Sequence, residues 1–116
     1  MYEALKAALE QTGIPMAEGD WDRAPKSGNY MTLRLEREAS SLWGDNHQQA
    51  QTVEGTVDLF ARSLATADVD EIQRAFDRLE ISWKLYSTQY EPRNHIVHYE
   101  WLYQLENRQW HREISK

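Results

Sequence analysis

The residue types that could do chemistry in this 116-residue chain are its carboxylates and four histidines, which are His47, His95, His98 and His111. His95 and His98 are three positions apart on a predicted strand. Because alternate residues of a strand face opposite sides, these two cannot share a metal ion without a bend. Glu100 shares the face of His98, so His98 and Glu100 can form a pair of metal ligands. Spacing indicates no third ligand, and we favour a solvated strand face for both residues.

Other signals for catalysis or metal binding are weak. The loop residues Asp20 and Asp22 lack the glycine and the distal glutamate of an EF-hand calcium loop. The chain has no G-x-S-x-G, phosphate-binding loop, dinucleotide fingerprint or H-E-x-x-H motif. Cysteine is absent, which excludes disulfides and thiolate zinc sites. The sequence therefore predicts no catalytic residue, no metal site and no cofactor, and it argues against an enzyme.

Length and charge set broad limits. The length predicts a single domain over residues 1–116. No apolar run reaches the roughly 20 residues needed to span a bilayer, and we find no secretion signal, so we expect a cytoplasmic protein. The net charge is −6, and residues 45–80 are the most acidic part. An acidic surface argues against wrapping nucleic acid, which needs clustered cations.

Two predicted strands joined by a turn organise the fold. Ile81, Trp83 and Leu85 lie on one face of the first strand, and residues 96–105 alternate in the same way. The turn spans Tyr90–Asn94 and contains residues that interrupt a ladder. We therefore predict a long antiparallel hairpin whose apolar face is covered by upstream elements.

The upstream elements follow from apolar periodicity, which distinguishes helices from strands. In chain order they are a helix over Tyr2–Thr12, a short strand over Ile14–Ala17, strands over Tyr30–Arg37 and Gln51–Arg62, and a helix from Asp68. Pro15 indicates an edge position for the short strand. Asp68 and Glu71 form a predicted capping box. Gly55 takes an inward strand position, which indicates a bulge or a close approach.

The element order is helix, short strand, strand, strand, helix, strand, strand. It predicts an α+β fold in two layers, with a mainly antiparallel sheet of four or five strands and both helices on one face. The other face is polar and can remain open. Residues 38–49 and residues 106–116 lose the alternation, and each can form an arm that reaches a neighbour.

Trp and Tyr are enriched at protein interfaces, but we favour a core or lid role for most of the five tryptophans. We interpret Trp21 as a lid over the core. Trp43 and Trp110 lie on no strand or helix that could bury them locally. The candidate subunit-interface residues are Leu42, Trp43, Trp110 and Ile114.

Six blocks of the chain resemble small tail-completion proteins of siphophages and prophages of Gram-positive bacteria. They are Tyr2–Leu9, Thr12–Pro15, Leu42–Asp45, Glu54–Phe60, Ile81–Trp83 and His98–Trp101. The resemblance covers most of the chain and depends on the order of the blocks, since none is a chemical motif. Such proteins are similar to the tail terminators of lambda-like phages, which are α+β subunits of rings, usually hexamers. These rings cap the tail tube and join it to the head.

The resemblance implies a structural protein without catalytic residues. Its implied partners are copies of itself, tail-tube protein and neck proteins, with DNA only as passing cargo and no membrane. Its implied location is the bacterial host cytoplasm during assembly and then the virion tail. If Glu54 and Asp58 line the lumen, like-charge repulsion lets DNA pass. The alternative is a small monomeric binding or regulatory module encoded on a mobile element.

Overall fold

The computed structural model describes residues 1–19, 28–38, 52–62 and 66–106. These ranges form two helices and five strands in the predicted order. The elements are α1 (Tyr2–Glu10), β1 (Met16–Glu18), β2 (Tyr30–Glu38), β3 (Thr52–Ala61), α2 (Thr66–Arg78), β4 (Ser82–Glu91) and β5 (Ile96–Glu106). The predicted α+β fold is confirmed.

The five strands form one sheet in the order β1-β2-β3-β5-β4. Three of the neighbouring pairs are antiparallel, and β1 runs parallel to β2. The edge position that Pro15 indicates for β1 is confirmed, and the Pro15 carbonyl accepts a 2.8 Å hydrogen bond from the Met31 amide. The strand β5 lies between β3 and β4, so the last described strand is an interior one.

Both helices pack on one face of the sheet, because their apolar stripes meet the same alternate residues of the strands. Leu5 and Leu9 of α1 and Ile72 and Phe76 of α2 are fully buried. They share one core cluster with strand residues that include Met31, Leu33, Val57, Leu59, Trp101 and Tyr103. The arrangement is the predicted two-layer one. We call this side of the sheet the covered face and the opposite side the open face.

Several boundaries differ from the predictions. The helix α2 begins at Thr66, so Asp68 lies inside its first turn and the predicted capping box at Asp68 is wrong. There the Asp68 carboxylate accepts a 2.9 Å hydrogen bond from Asn29 Nδ2. The positive end of the helix dipole also stabilises its negative charge. The prediction that His95 lies on a strand is also wrong. His95 ends the turn before β5 with a φ of 55°.

The close approach indicated at Gly55 is confirmed. A Cβ atom at Gly55 would overlap the hydroxyl group of Tyr103 and the carbonyl oxygen of Arg34. The Tyr103 hydroxyl instead crosses this position and donates a 2.9 Å hydrogen bond to that carbonyl oxygen. Burial raises the pKa of Tyr103, so this hydroxyl stays protonated as a donor.

Candidate functional site

The open face carries a buried carboxylate at its centre. Asp58 of β3 is 3% exposed. Its Oδ1 atom lies 2.7 Å from His98 Nε2, and its Oδ2 atom lies 3.6 Å from a guanidinium nitrogen of Arg34. An ionised carboxylate only accepts hydrogen bonds, so with Asp58 ionised the Nε2 atom of His98 is the donor. One carboxylate oxygen is therefore hydrogen-bonded to His98, whereas the other lies at ion-pair distance from Arg34 and has no hydrogen-bond partner among the described residues.

An aromatic strip holds the His98 ring in place. The rings of Tyr30 and Phe60 stack at a centroid distance of 4.9 Å, and those of Phe60 and His98 stack at 4.3 Å. The three residues occupy one row across β2, β3 and β5. This strip and the pairing of Asp58 with His98 were missed at the sequence level. The signal that could have found them is strand register, which places Tyr30 opposite Phe60 and Phe60 opposite His98.

His98 and Glu100, which could form a pair of metal ligands by their spacing, have different surroundings in the structure. His98 bonds to Asp58, while Glu100 lies directly opposite Asp58 in the ladder. Within the described ranges, no group of three or more His, Asp or Glu side chains is arranged to hold a metal ion. Two further histidines, His47 and His111, lie outside the described residues, as do the acidic loop residues of the calcium interpretation.

Two cavities lie along the open face. The larger has a volume of about 480 Å³ and is lined by residues that include Glu36, Glu54, Thr56, Lys84 and Leu102. The smaller has a volume of about 280 Å³ and is bordered by Asp58, His98 and their neighbours. Cavities of the larger size fall within the range of ligand sites in proteins.

The two edges of the sheet differ strongly. The edge strand β1 has only three residues and follows a proline. Its Glu18 carboxylate accepts a hydrogen bond from the Tyr2 hydroxyl and lies 3.1 Å from the Lys6 ammonium, both on α1. The hydrogen bonds from Tyr2 and Lys6 lower the pKa of Glu18. This edge is short and tied to a helix.

The opposite edge strand, β4, has ten residues and carries three large exposed side chains among mainly polar ones. Its exposed large side chains are Leu85, Tyr86 and Tyr90, which are 41%, 59% and 59% exposed. The register with β5 shifts between Leu85 and Ser87, which makes Tyr86 the extra residue of a bulge. Leu85 was predicted to face the core. It lies opposite the buried Trp101 but remains exposed because it occupies the outermost strand.

The predicted interface residues Leu42, Trp43, Trp110 and Ile114 lie outside the described residues, as does the predicted lid Trp21. The predicted lumen residues are both on β3 and on the open face. Glu54 accepts a 3.0 Å hydrogen bond from Gln104 Nε2.

Two other tryptophans have structural partners. Trp83 Nε1 donates to Asp77 at 2.8 Å, and Trp101 Nε1 donates to Gln73 at 3.1 Å. Both acceptors belong to α2, so these indole groups fix that helix against the hairpin.

No family model matches the chain, and no curated protein matches it significantly. In the part of the chain that the structure describes, neither helix has the length and apolar character needed to cross a membrane.

Proposed function

We propose that this chain is a structural subunit of the phage tail-terminator or head–tail joining type, which closes into a ring with copies of itself. The observation that carries the proposal is the ten-residue edge strand β4, on which Leu85, Tyr86 and Tyr90 are exposed. The order of the six sequence blocks, which resembles that of tail-completion proteins, supports the same function. The rings of tail terminators are usually hexamers, and we expect a hexamer here.

The physical argument starts from the edge strand. Monomeric proteins blunt exposed edges with short strands, prolines, charges or bulges. The strand β1 follows this rule through its length and Pro15. The strand β4 has one bulge and Lys84, but it combines ten residues with three large exposed apolar side chains. Such a patch favours contact between subunits over contact with water.

A ring needs two different surfaces on each subunit. When one patch contacts a different patch on the next copy, the contacts are heterologous and can close into a ring. The β4 edge supplies one such patch, and the chemically different β1 edge lies at the other end of the sheet. Under this proposal the ring binds tail-tube and neck proteins, assembles in the host cytoplasm and becomes part of the virion tail.

The experiment measures the mass of the purified chain by light scattering across a concentration series, alone and with tail-tube protein. We expect a ring-sized species, with a central hole in electron micrographs. A variant with Leu85→Ser, Tyr86→Ser and Tyr90→Ser should remain monomeric with an unchanged circular dichroism spectrum. A control with Thr88→Ala, Gln89→Ala and Arg93→Ala alters exposed polar residues of the same hairpin and should assemble normally. A wild-type chain that stays monomeric under every condition would overturn the proposal.

A second candidate function is the monomeric binding module of a mobile element. The larger cavity on the open face favours it, because a buried threonine hydroxyl without a described partner lines that cavity. A stable monomer that binds a ligand there would support this function over the ring.

A further inference from the structure

The larger cavity has a defined arrangement of charge, and we call it the Thr56 groove. Glu36 of β2 and Glu54 of β3 lie on one side, and Lys84 of β4 lies on the other. Leu102 of β5 lies between them, opposite Thr56 on one neighbouring strand and Lys84 on the other. The groove therefore has an apolar floor with an acidic side.

Thr56 has an unmet hydrogen-bonding requirement. It is 7% exposed, and its Oγ1 atom has no hydrogen-bond partner among the described residues. A buried hydroxyl group without a partner is unfavourable, because folding has removed its hydrogen bonds to water. An unpartnered buried polar group in a native protein requires an explanation, and a ligand that supplies the missing partner is one.

Charge on the open face favours a cationic ligand. The described side chains at strand positions of this face include five acidic ones, Glu36, Glu54, Asp58, Glu91 and Glu100, and the basic ones Arg34 and Lys84. Arg34 lies beside Asp58, so its charge is already engaged. Glu54 contacts Gln104 through one oxygen, which leaves the carboxylate able to accept further hydrogen bonds.

We infer that the Thr56 groove binds a lysine or arginine side chain that an extended segment of a partner protein presents. The aliphatic part of that side chain lies along Leu102, as long cationic side chains commonly lie on apolar surface. Its head group lies near Glu36 and Glu54 and donates to Thr56 Oγ1. A cavity of about 480 Å³ is larger than one side chain, so it also accommodates the adjacent residues of the segment.

Binding requires a small local change. The Oγ1 atom of Thr56 is covered by its surroundings, so the side chain changes its χ1 rotamer when the donor arrives. This inference goes beyond the proposed ring, because it uses the open face and not the β4 edge. A chain that fails to form rings can still bind the segment, so each proposal has its own test.

The test titrates the ¹⁵N-labelled chain with a ten-residue peptide that alternates lysine and serine. The control peptide carries acetylated lysines. We expect saturable shifts at the amides of Thr56, Leu102 and Gln104 with the first peptide and none with the second. A change in the χ1 coupling constants of Thr56 should accompany the shifts.

Matched variants test the roles of the groove residues. Thr56→Val removes the hydroxyl group at nearly constant volume and should weaken binding about tenfold, which corresponds to one hydrogen bond to a charged group. It should also raise the melting temperature of the free chain, because an unsatisfied polar group is removed. Thr32→Val, on the same face outside the groove, should leave the affinity unchanged within about twofold.

Glu54→Gln and Glu100→Gln make the same change in charge, but only the first lies in the groove. We expect Glu54→Gln to weaken binding about fivefold and Glu100→Gln less than about twofold. Equal weakening by both variants would show diffuse attraction and overturn the inference. The inference also fails if the shifts map away from the groove, if the lysine peptide does not bind saturably, or if free butylamine binds as tightly as the peptide.

Discussion

The two faces of the sheet bury their side chains in different ways. On the covered face, Phe76 and Trp101 are buried because a helix lies over the strands. On the open face, Thr32 and Asp58 are just as buried, although both helices lie on the opposite side. Their cover comes from neighbouring side chains, such as the ring of His98. The covered face depends on apolar area, whereas the open face depends on which residues are cross-strand neighbours.

The largest expected loss of stability comes from a substitution in the core under the covered face. Phe76→Ala should lower the free energy of unfolding by about 3–5 kcal/mol, because a fully buried ring is lost and a cavity remains. Urea denaturation followed by circular dichroism measures the change. Arg74→Ala on the exposed side of the same helix should change it by less than about 0.5 kcal/mol. Similar losses for the two variants would show that α2 does not pack as described.

The next largest loss of stability is expected from a substitution on the open face. Asp58→Ala should lower the free energy of unfolding by about 1–3 kcal/mol, because it leaves His98 without its acceptor. Glu100→Ala, directly opposite in the ladder, is the control and should change it by less than about 0.5 kcal/mol. If the control is the more damaging variant, the pairing of Asp58 with His98 is not the stabilising contact.

A third pair of substitutions tests the close packing of Tyr103 against Gly55. Gly55→Ala should destabilise the chain by about 1–3 kcal/mol, because the new methyl group overlaps the Tyr103 hydroxyl and the Arg34 carbonyl oxygen. Combining it with Tyr103→Leu removes the overlaps with the Tyr103 hydroxyl and Cζ atoms and leaves the one with the Arg34 carbonyl, so the double variant should cost less than the sum of the single ones. Thermal melts of the four chains complete the cycle, and strict additivity would contradict the described contact.

The smallest expected effect concerns the β1 edge. The pKa of Glu18 is lowered by its hydrogen bonds, so the folded chain is stabilised above the ordinary pKa of a glutamate. This stabilisation is lost as the pH falls through the lowered value. Glu18→Gln should therefore slightly lower the melting temperature at pH 7 and have no effect once the pH is well below the lowered pKa of Glu18. Glu36→Gln is the control, and an equal effect of both variants at pH 7 would exclude a specific role for Glu18.

Sequence periodicity predicts the elements of this fold well, since each apolar stripe is a local property. The alternation around Val57 and the helical spacing around Phe76 are both visible in short windows. Pro15 predicted an edge strand, because proline cannot donate a ladder hydrogen bond. Gly55 predicted a bulge or a close approach, because glycine has no side chain.

Strand neighbours could not be predicted in the same way. Asp58 and His98 are 40 residues apart, and β4 lies between them in the sequence but not in the sheet. Periodicity assigns a residue to a face, but only the strand order decides which residue lies beside it. The carboxylate site and the aromatic strip both depend on that order. The position of Asp68 was missed for a smaller reason, since Thr66 and Ala67 extended the helix by half a turn.

The interior position of β5 has a consequence for synthesis of the protein. Until residues 96–106 have left the ribosome, β3 and β4 have no common neighbour, and the sheet cannot close. Once residues 82–91 have been made, the nascent chain carries an unpaired β4 and a β3 strand that is paired with β2 on one side only. Such strands are prone to pair with other chains, so we expect efficient folding to depend on chaperones that shield β3 until β5 arrives.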